Sequence, residues 1–213
     1  MSKRPDRTPV RQPSDLAAVL AREYLLESAA VKREVVEHCL EPIVAAARLI
    51  ADTLRNEGKL LLCGNGGSAA DCQHIAGELI NRLSADFPRP SLPAIALTTD
   101  TSVLTSIAND FGFEEVFERQ VRALGRPDDI LLGISTSGGS DNILRAVATA
   151  RAMGVRTVGL SGAGGRLKDL VDIAITVPSD SVHHVQEAHL AIEHLLCHLV
   201  ERDLFGSRGD GVP

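Results

Sequence analysis

The 213-residue chain is predicted to be an α/β protein: a three-layer sandwich with a five-stranded parallel sheet, preceded by N-terminal helices. Three observations predict it. Five short runs rich in Ile, Val and Leu recur along the chain, nearly continuous in apolar residues, as strands buried on both faces are. Amphipathic segments of helical length lie between them, and strand–helix alternation gives a parallel sheet with helices on both sides. Hydrophobic residues make up 44 % but aromatics only 3 %, with no Trp, so the core must be built from aliphatic side chains.

The elements follow in order. Residues 14–56 read as helix, with Ser14-Asp15 as the capping candidate and apolar residues at three- and four-residue spacing. Pro42 inside that segment predicts a break, hence two helices. Strands are expected at 59–63, 93–97, 129–135, 156–161 and 172–177. Helices are expected at 69–82, 101–108, 114–124, 142–153 and 185–203. Residues 1–14 are basic and Pro-containing and are read as a disordered tail, residues 15–205 as one domain, and 206–213 as a C-terminal tail. The Arg-Gly-Asp triplet in that last segment is taken as coincidence.

The net charge of −6 gives no electrostatic footprint for nucleic acid. No apolar run approaches the ~18 residues that would span a membrane. The four cysteines, Cys39, Cys63, Cys72 and Cys197, are widely spaced inside apolar runs, which fits buried thiols in a reducing cytoplasm better than disulfides.

In such sheets ligands bind at the carboxyl ends of the strands. Two loops there stand out: Gly64-Asn65-Gly66-Gly67-Ser68 after the first strand and Ser135-Thr136-Ser137-Gly138-Gly139-Ser140 after the third. Glycines let backbone N–H groups turn toward a ligand, helix N-termini add partial positive charge, and hydroxyls donate to phosphate oxygens. Neither loop is GxxxxGK[ST] or GxGxxG, so nucleotide and dinucleotide binding are unsupported. A Ser/Thr cradle without Lys or Arg suits a terminal monophosphate. On the helix after the first loop, His74 and Glu78 are four residues apart and share one face, a spacing that can hold a divalent metal or simply face solvent. The last helix carries Gln186, Glu187, His189, Glu193, His194 and His198, and periodicity does not choose among them.

Together the two loops, the His74/Glu78 pair, the stretch ANDFGFEEVF and the terminal VQEAHLAIEH resemble the phosphoheptose isomerases, a branch of the sugar isomerase (SIS) domain superfamily with a flavodoxin-like fold. The resemblance runs from about residue 18 to 204. It implies that Asn65, Gly66, Gly67 and Ser68 contact the sugar chain, Asn109 and Asp110 its hydroxyls, and Ser135, Thr136, Ser137 and Ser140 its phosphate. It implies one Zn²⁺ per subunit on His74, Glu78, Gln186 and His194, substrate contacts from Glu78 and Gln186, and catalysis by Glu78 and His194. It also implies a cytoplasmic homotetramer with sites at subunit interfaces. Gly139 stands where the family commonly has Asn, and the segment SADFPRP is longer than usual. The implied reaction converts sedoheptulose 7-phosphate to D-glycero-D-manno-heptose 7-phosphate through an enediol, the entry to nucleotide-activated heptose. The alternative is a non-catalytic SIS protein, a phosphosugar sensor or replication-initiator-associating adaptor, a branch whose members lack the equivalents of Glu78 and His194.

One geometric expectation concerns the ligand set. Gln186 and His194 are eight residues apart, so on a regular helix their Cα atoms lie ~12 Å apart along the axis. Donors on one Zn²⁺ lie only ~2.0–2.2 Å from the metal. Either the two residues of one site come from different chains or the helix is irregular between them.

Overall fold

The computed structural model describes residues 15–206. The expected tails, and Ser14 as a cap, lie outside the described residues. Helix α1 (Asp15–Arg55) leads into β1 (Leu60–Gly64), α2 (Gly67–Ile80), β2 (Ala94–Ala96), α3 (Thr101–Phe111), a 3-10 turn (Phe113–Glu115) and α4 (Glu118–Leu124). Then come β3 (Ile130–Ser135), α5 (Asp141–Ala152), β4 (Arg156–Ser161), α6 (Leu167–Leu170), β5 (Ile173–Thr176) and α7 (Val182–Phe205). All five predicted strands are present, within a residue or two of their expected ends. The four-residue helix α6 was not anticipated, being too short to show a period.

The sheet is parallel throughout, in the order β2-β1-β3-β4-β5. β1 and β3 lie in the middle and every residue of both is buried, which is why they read as unbroken apolar runs. Helices α1, α2 and α7 cover one face, with Ile43, Ala47, Ile50, Ile75, Ile192 and Leu196 in its core. Helices α4, α5 and α6 cover the other, where Val121, Ile143, Val147 and Leu167 pack on the alternate residues of the same strands.

The first helical segment corrects an expectation: it is one helix of 41 residues with Pro42 inside. Proline removes one backbone hydrogen bond and crowds the preceding turn. Here tertiary packing grips the helix on both sides of it. Cys39 and Ile43 are buried, and the Cys39 thiol donates to the Thr176 carbonyl of β5 at 3.2 Å. Residues 15–27 at the other end are all exposed, so the first turns of α1 project as an arm.

Candidate active site

The two glycine-rich loops leave the carboxyl ends of adjacent strands. The β1–β3 register runs from Leu60↔Ile130 to Gly64↔Ile134, so Asn65 and Ser135 emerge side by side. This is where the strand order switches, the place where an α/β sheet opens a ligand crevice. Gly66 (φ 55°) and Gly138 (φ 63°) adopt the left-handed conformation that a side chain would strain. A Cβ at Gly138 would also lie 2.5 Å from the Gly164 carbonyl, and the Gly138 carbonyl accepts the Arg166 and Leu167 amides, both at 2.9 Å. The second loop is thus braced from beneath by residues 162–167.

In that loop Ser135 Oγ lies 3.2 Å from Ser140 Oγ and 3.4 Å from Ser137 Oγ, and it accepts the Gly138 amide at 3.1 Å. Three of the four hydroxyl residues expected at a phosphate therefore converge. The Ser140 side chain does not cap α5, which leaves first-turn N–H groups of that helix for an anion. In the first loop Asn65 and Asn142 bond each other through both amides at 2.9 Å. Gly66 and Gly67 are exposed beside a cleft of about 110 Å³ lined by Gly64, Asn65, Thr98, Leu104 and Phe113. Ser68 is buried against the backbone at Gly64. Asn109 and Asp110, at the end of α3, hydrogen-bond each other at 2.8 Å and make no hydrogen bond to either loop among the described residues.

Two turns into α2, three side chains meet. His74 Nε2 lies 2.7 Å from His194 Nε2, with the rings nearly perpendicular, and 3.7 Å from Glu78 Oε1. The donor atoms of the three all lie within 4.8 Å of one another. The other carboxylate oxygen, Glu78 Oε2, is buried with no hydrogen-bond partner. Two imidazole nitrogens aimed at each other beside a carboxylate leave lone pairs facing one point, and that donor set fits a divalent cation such as Zn²⁺. Gln186, the fourth expected ligand, does not join them. Its amide donates to Asp71 Oδ2, and its carbonyl oxygen lies over Gly67. Helix α7 is unbroken from Val182 to Phe205, so the irregular-helix alternative falls.

Several residues near the site went unmarked in the sequence. Asp71, one turn before His74 on α2, is 9 % exposed, and burial pushes its carboxyl up to about 6 against the opposing pull of His74 and Gln186. Glu193 and His189, between which and their neighbours on α7 periodicity does not choose, are wholly buried without a hydrogen-bond partner of ordinary geometry. Burial, with the Asp71 carboxylate second, raises Glu193 to about 9, while burial lowers His189 to about 4. His184 is a packing residue, its ring 4.6 Å from that of Tyr24 on α1. Arg89 in the long SADFPRP segment is buried against Glu201 at 2.8 Å, and its guanidinium donates to the Glu78 and Leu79 carbonyls at the end of α2. A single Arg between two prolines carried no signal for this.

A five-stranded parallel sheet with two Ser/Gly loops at its switch point and a His/Glu cluster on the adjoining helices defines a sugar isomerase domain. The SIS domain family matches residues 23–162. Within that class the chain belongs to the phosphoheptose isomerase family. It is 50 % identical over 197 residues to the phosphoheptose isomerase of Roseiflexus sp. (92 % of this chain and 99 % of the relative). The solved phosphoheptose isomerase of Neisseria gonorrhoeae superposes with a TM-score of 0.80 at 42 % identity, covering 86 % of this chain and 97 % of that one. That of Francisella tularensis gives 0.82 at 39 % identity, covering 89 % and 100 %.

Proposed function

We propose that the chain isomerises sedoheptulose 7-phosphate to D-glycero-D-manno-heptose 7-phosphate, supplying the aldose for heptose biosynthesis. Family membership over nearly the whole length gives the reaction. The observation that carries the site assignment is the meeting of His74, Glu78 and His194, drawn from helices far apart in sequence, beside two loops suited to a sugar phosphate. Both residues that the non-catalytic branch lacks are present and adjacent, which disfavours that reading.

The reaction moves one hydrogen from C1 to C2 and shifts the carbonyl from C2 to C1. A base must take the C1 proton, an acid must protonate the C2 oxygen to give the enediol, and the two transfers then reverse at the other carbon and oxygen. Glu78 supports the role of base, because Oε2 is a buried acceptor committed to no other partner. His194 supports the oxygen-side role by its place, its imidazole lying beside the Glu78 carboxylate in the same cluster. Ser135, Thr136, Ser137 and Ser140 with the start of α5 would anchor the phosphate. Asn65, Gly66, Gly67 and Ser68 would line the sugar chain, Ser68 through its backbone, and Asn109 and Asp110 would meet its hydroxyls. Binding energy from this remote phosphate fixes the reacting carbons in register.

His74, Glu78 through Oε1 and His194 would hold one Zn²⁺ per subunit, which supplies Lewis acidity toward the sugar oxygens when bound. Gln186 would complete the set from a neighbouring chain. The exposed apolar side chains of the α1 arm, Leu16, Leu20, Leu25 and Leu26 among them, support assembly of a homotetramer with sites at its interfaces. A cytoplasmic location accords with four free, buried thiols. The test is direct. Purified protein supplied with Zn²⁺ and sedoheptulose 7-phosphate forms the aldose, and Glu78→Gln lowers kcat by about 10²–10⁴-fold with the fold retained. Full activity in that variant assigns the base elsewhere.

A further inference from the structure

Asn65 and Asn142 form a closed pair of hydrogen bonds. Asn65 Nδ2 donates to Asn142 Oδ1, and Asn142 Nδ2 donates back to Asn65 Oδ1, both at 2.9 Å. Asn65 follows β1 in the first loop. Asn142 is the second residue of α5 and is 4 % exposed. The chain leaves β1 and β3 toward opposite faces of the sheet: α2 packs with α7, and α5 packs with α4 and α6. The ladder between the two strands ends at Gly64 and Ile134. The amide pair sits just beyond that end and spans the crevice, stitching the sugar-end loop to the helix that follows the phosphate-end loop.

The hydrogen-bonding capacity of the two amides divides the roles. A primary amide offers two N–H donors and a carbonyl with two lone pairs. The pair engages one donor and the carbonyl of Asn65, leaving one N–H and one lone pair for a ligand in the half-exposed loop. Asn142 is too buried to reach that ligand, and it does not cap α5, whose N-cap is Ser140. What it does is hold the Asn65 amide in the plane of the pair, with one donor and one acceptor committed to it. Without it the amide turns freely about a soft terminal torsion.

We infer that Asn142 is a positioning residue for the isomerisation: it holds the Asn65 amide, and with it the first loop, at a set distance and orientation from the second loop, so that both ends of one sugar phosphate are met at once. The inference rests on the proposed function for what fills the crevice, and on the paired amides alone for the bracket itself.

The test uses Asn142→Ala, Asn65→Ala and the double variant of the full chain, with two readouts. In the absence of substrate, hydrogen exchange of the amides at 65–68 is expected to quicken about tenfold in Asn142→Ala. Unchanged exchange there overturns the bracket. In turnover, Asn142→Ala is expected to raise KM for sedoheptulose 7-phosphate about tenfold with kcat nearly unchanged, while inorganic phosphate, which engages the second loop and the backbone at the start of α5 but not Asn65, inhibits as well as before. Because Asn142 acts only through Asn65, adding Asn142→Ala to Asn65→Ala is expected to cost nothing more. A further tenfold rise in KM in that background, or weakening of phosphate inhibition in step with KM, overturns the proposal. Asn142→Asp keeps one of the two bonds and serves where the alanine variant fails to fold; its expected KM lies between wild type and Asn65→Ala, and a KM equal to wild type counts against the bracket. Failure of the wild-type chain to turn over the heptulose phosphate would instead overturn the proposed function, and exchange then decides the bracket.

Discussion

Replacing Glu193 with Met is expected to stabilise the protein increasingly as pH rises. Glu193 sits on α7 facing α2, wholly buried, with neither carboxylate oxygen hydrogen-bonded. Burial, and after it the Asp71 carboxylate, lifts its pKa from 4.5 to about 9. The folded protein therefore keeps a proton that the unfolded chain releases. For a raised folded pKa, stability is fully present below 4.5 and is lost as pH climbs toward 9. The slope is about 1.4 kcal/mol per pH unit. His189 acts with the opposite sign: burial lowers it from 6.5 to about 4, so its stability is present above 6.5 and lost as pH falls to 4. Between 4.5 and 6.5 the two slopes oppose each other. Above 6.5 the Glu193 slope stands free. From pH 6.5 to 8.5 the wild type is thus expected to lose about 3 kcal/mol relative to Glu193→Met, whose unbranched thioether fills the same volume without a charge. Urea unfolding of both proteins with chelator, at one fixed protein concentration, reads the difference free of metal and assembly terms. Parallel stability curves for the two proteins across that range would refute the reasoning, because they would mean Glu193 is ionised and solvated in the folded state.

Three further predictions follow from packing and ligation. Arg89→Met leaves Glu201 as an uncompensated buried charge and is expected to cost about 3–5 kcal/mol in chemical denaturation, with most of it regained in Arg89→Met/Glu201→Met. Pro42→Ala restores an amide that can donate to the His38 carbonyl inside an intact helix, and its expected gain is about 1–3 kcal/mol, read as a raised denaturation midpoint. Dialysis against a chelator is expected to abolish turnover and Zn²⁺ to restore it; activity that survives with no metal detectable by elemental analysis would remove the His74/Glu78/His194 cluster from the mechanism.

The positions of the central strands were legible because a strand buried on both faces has to be apolar at nearly every residue, whatever surrounds it. The two loops stood out because each sets glycines and hydroxyls between a strand and a helix start, where backbone N–H groups are free to turn toward a ligand. His74 and Glu78 could be placed on one face by helical spacing alone. Their partner could not. His194 lies 120 residues from His74, and on α7 several polar residues had equal claim until a family resemblance chose between them. Pro42 was misread because a local rule about backbone hydrogen bonds was outweighed by burial on both sides of the proline. What the sequence by itself determined was everything set by local geometry and by the need to bury aliphatic surface: the layered α/β class, the order of elements and the placing of two Gly/Ser loops at the strand ends. Only the tertiary structure decided that His189 and Glu193 are buried, that Asn65 is clasped by Asn142, that Arg89 closes on Glu201 and that Gln186 turns to Asp71. Each of these joins helices or loops distant along the chain, and a polar side chain carries no mark of its partner until packing brings the two together.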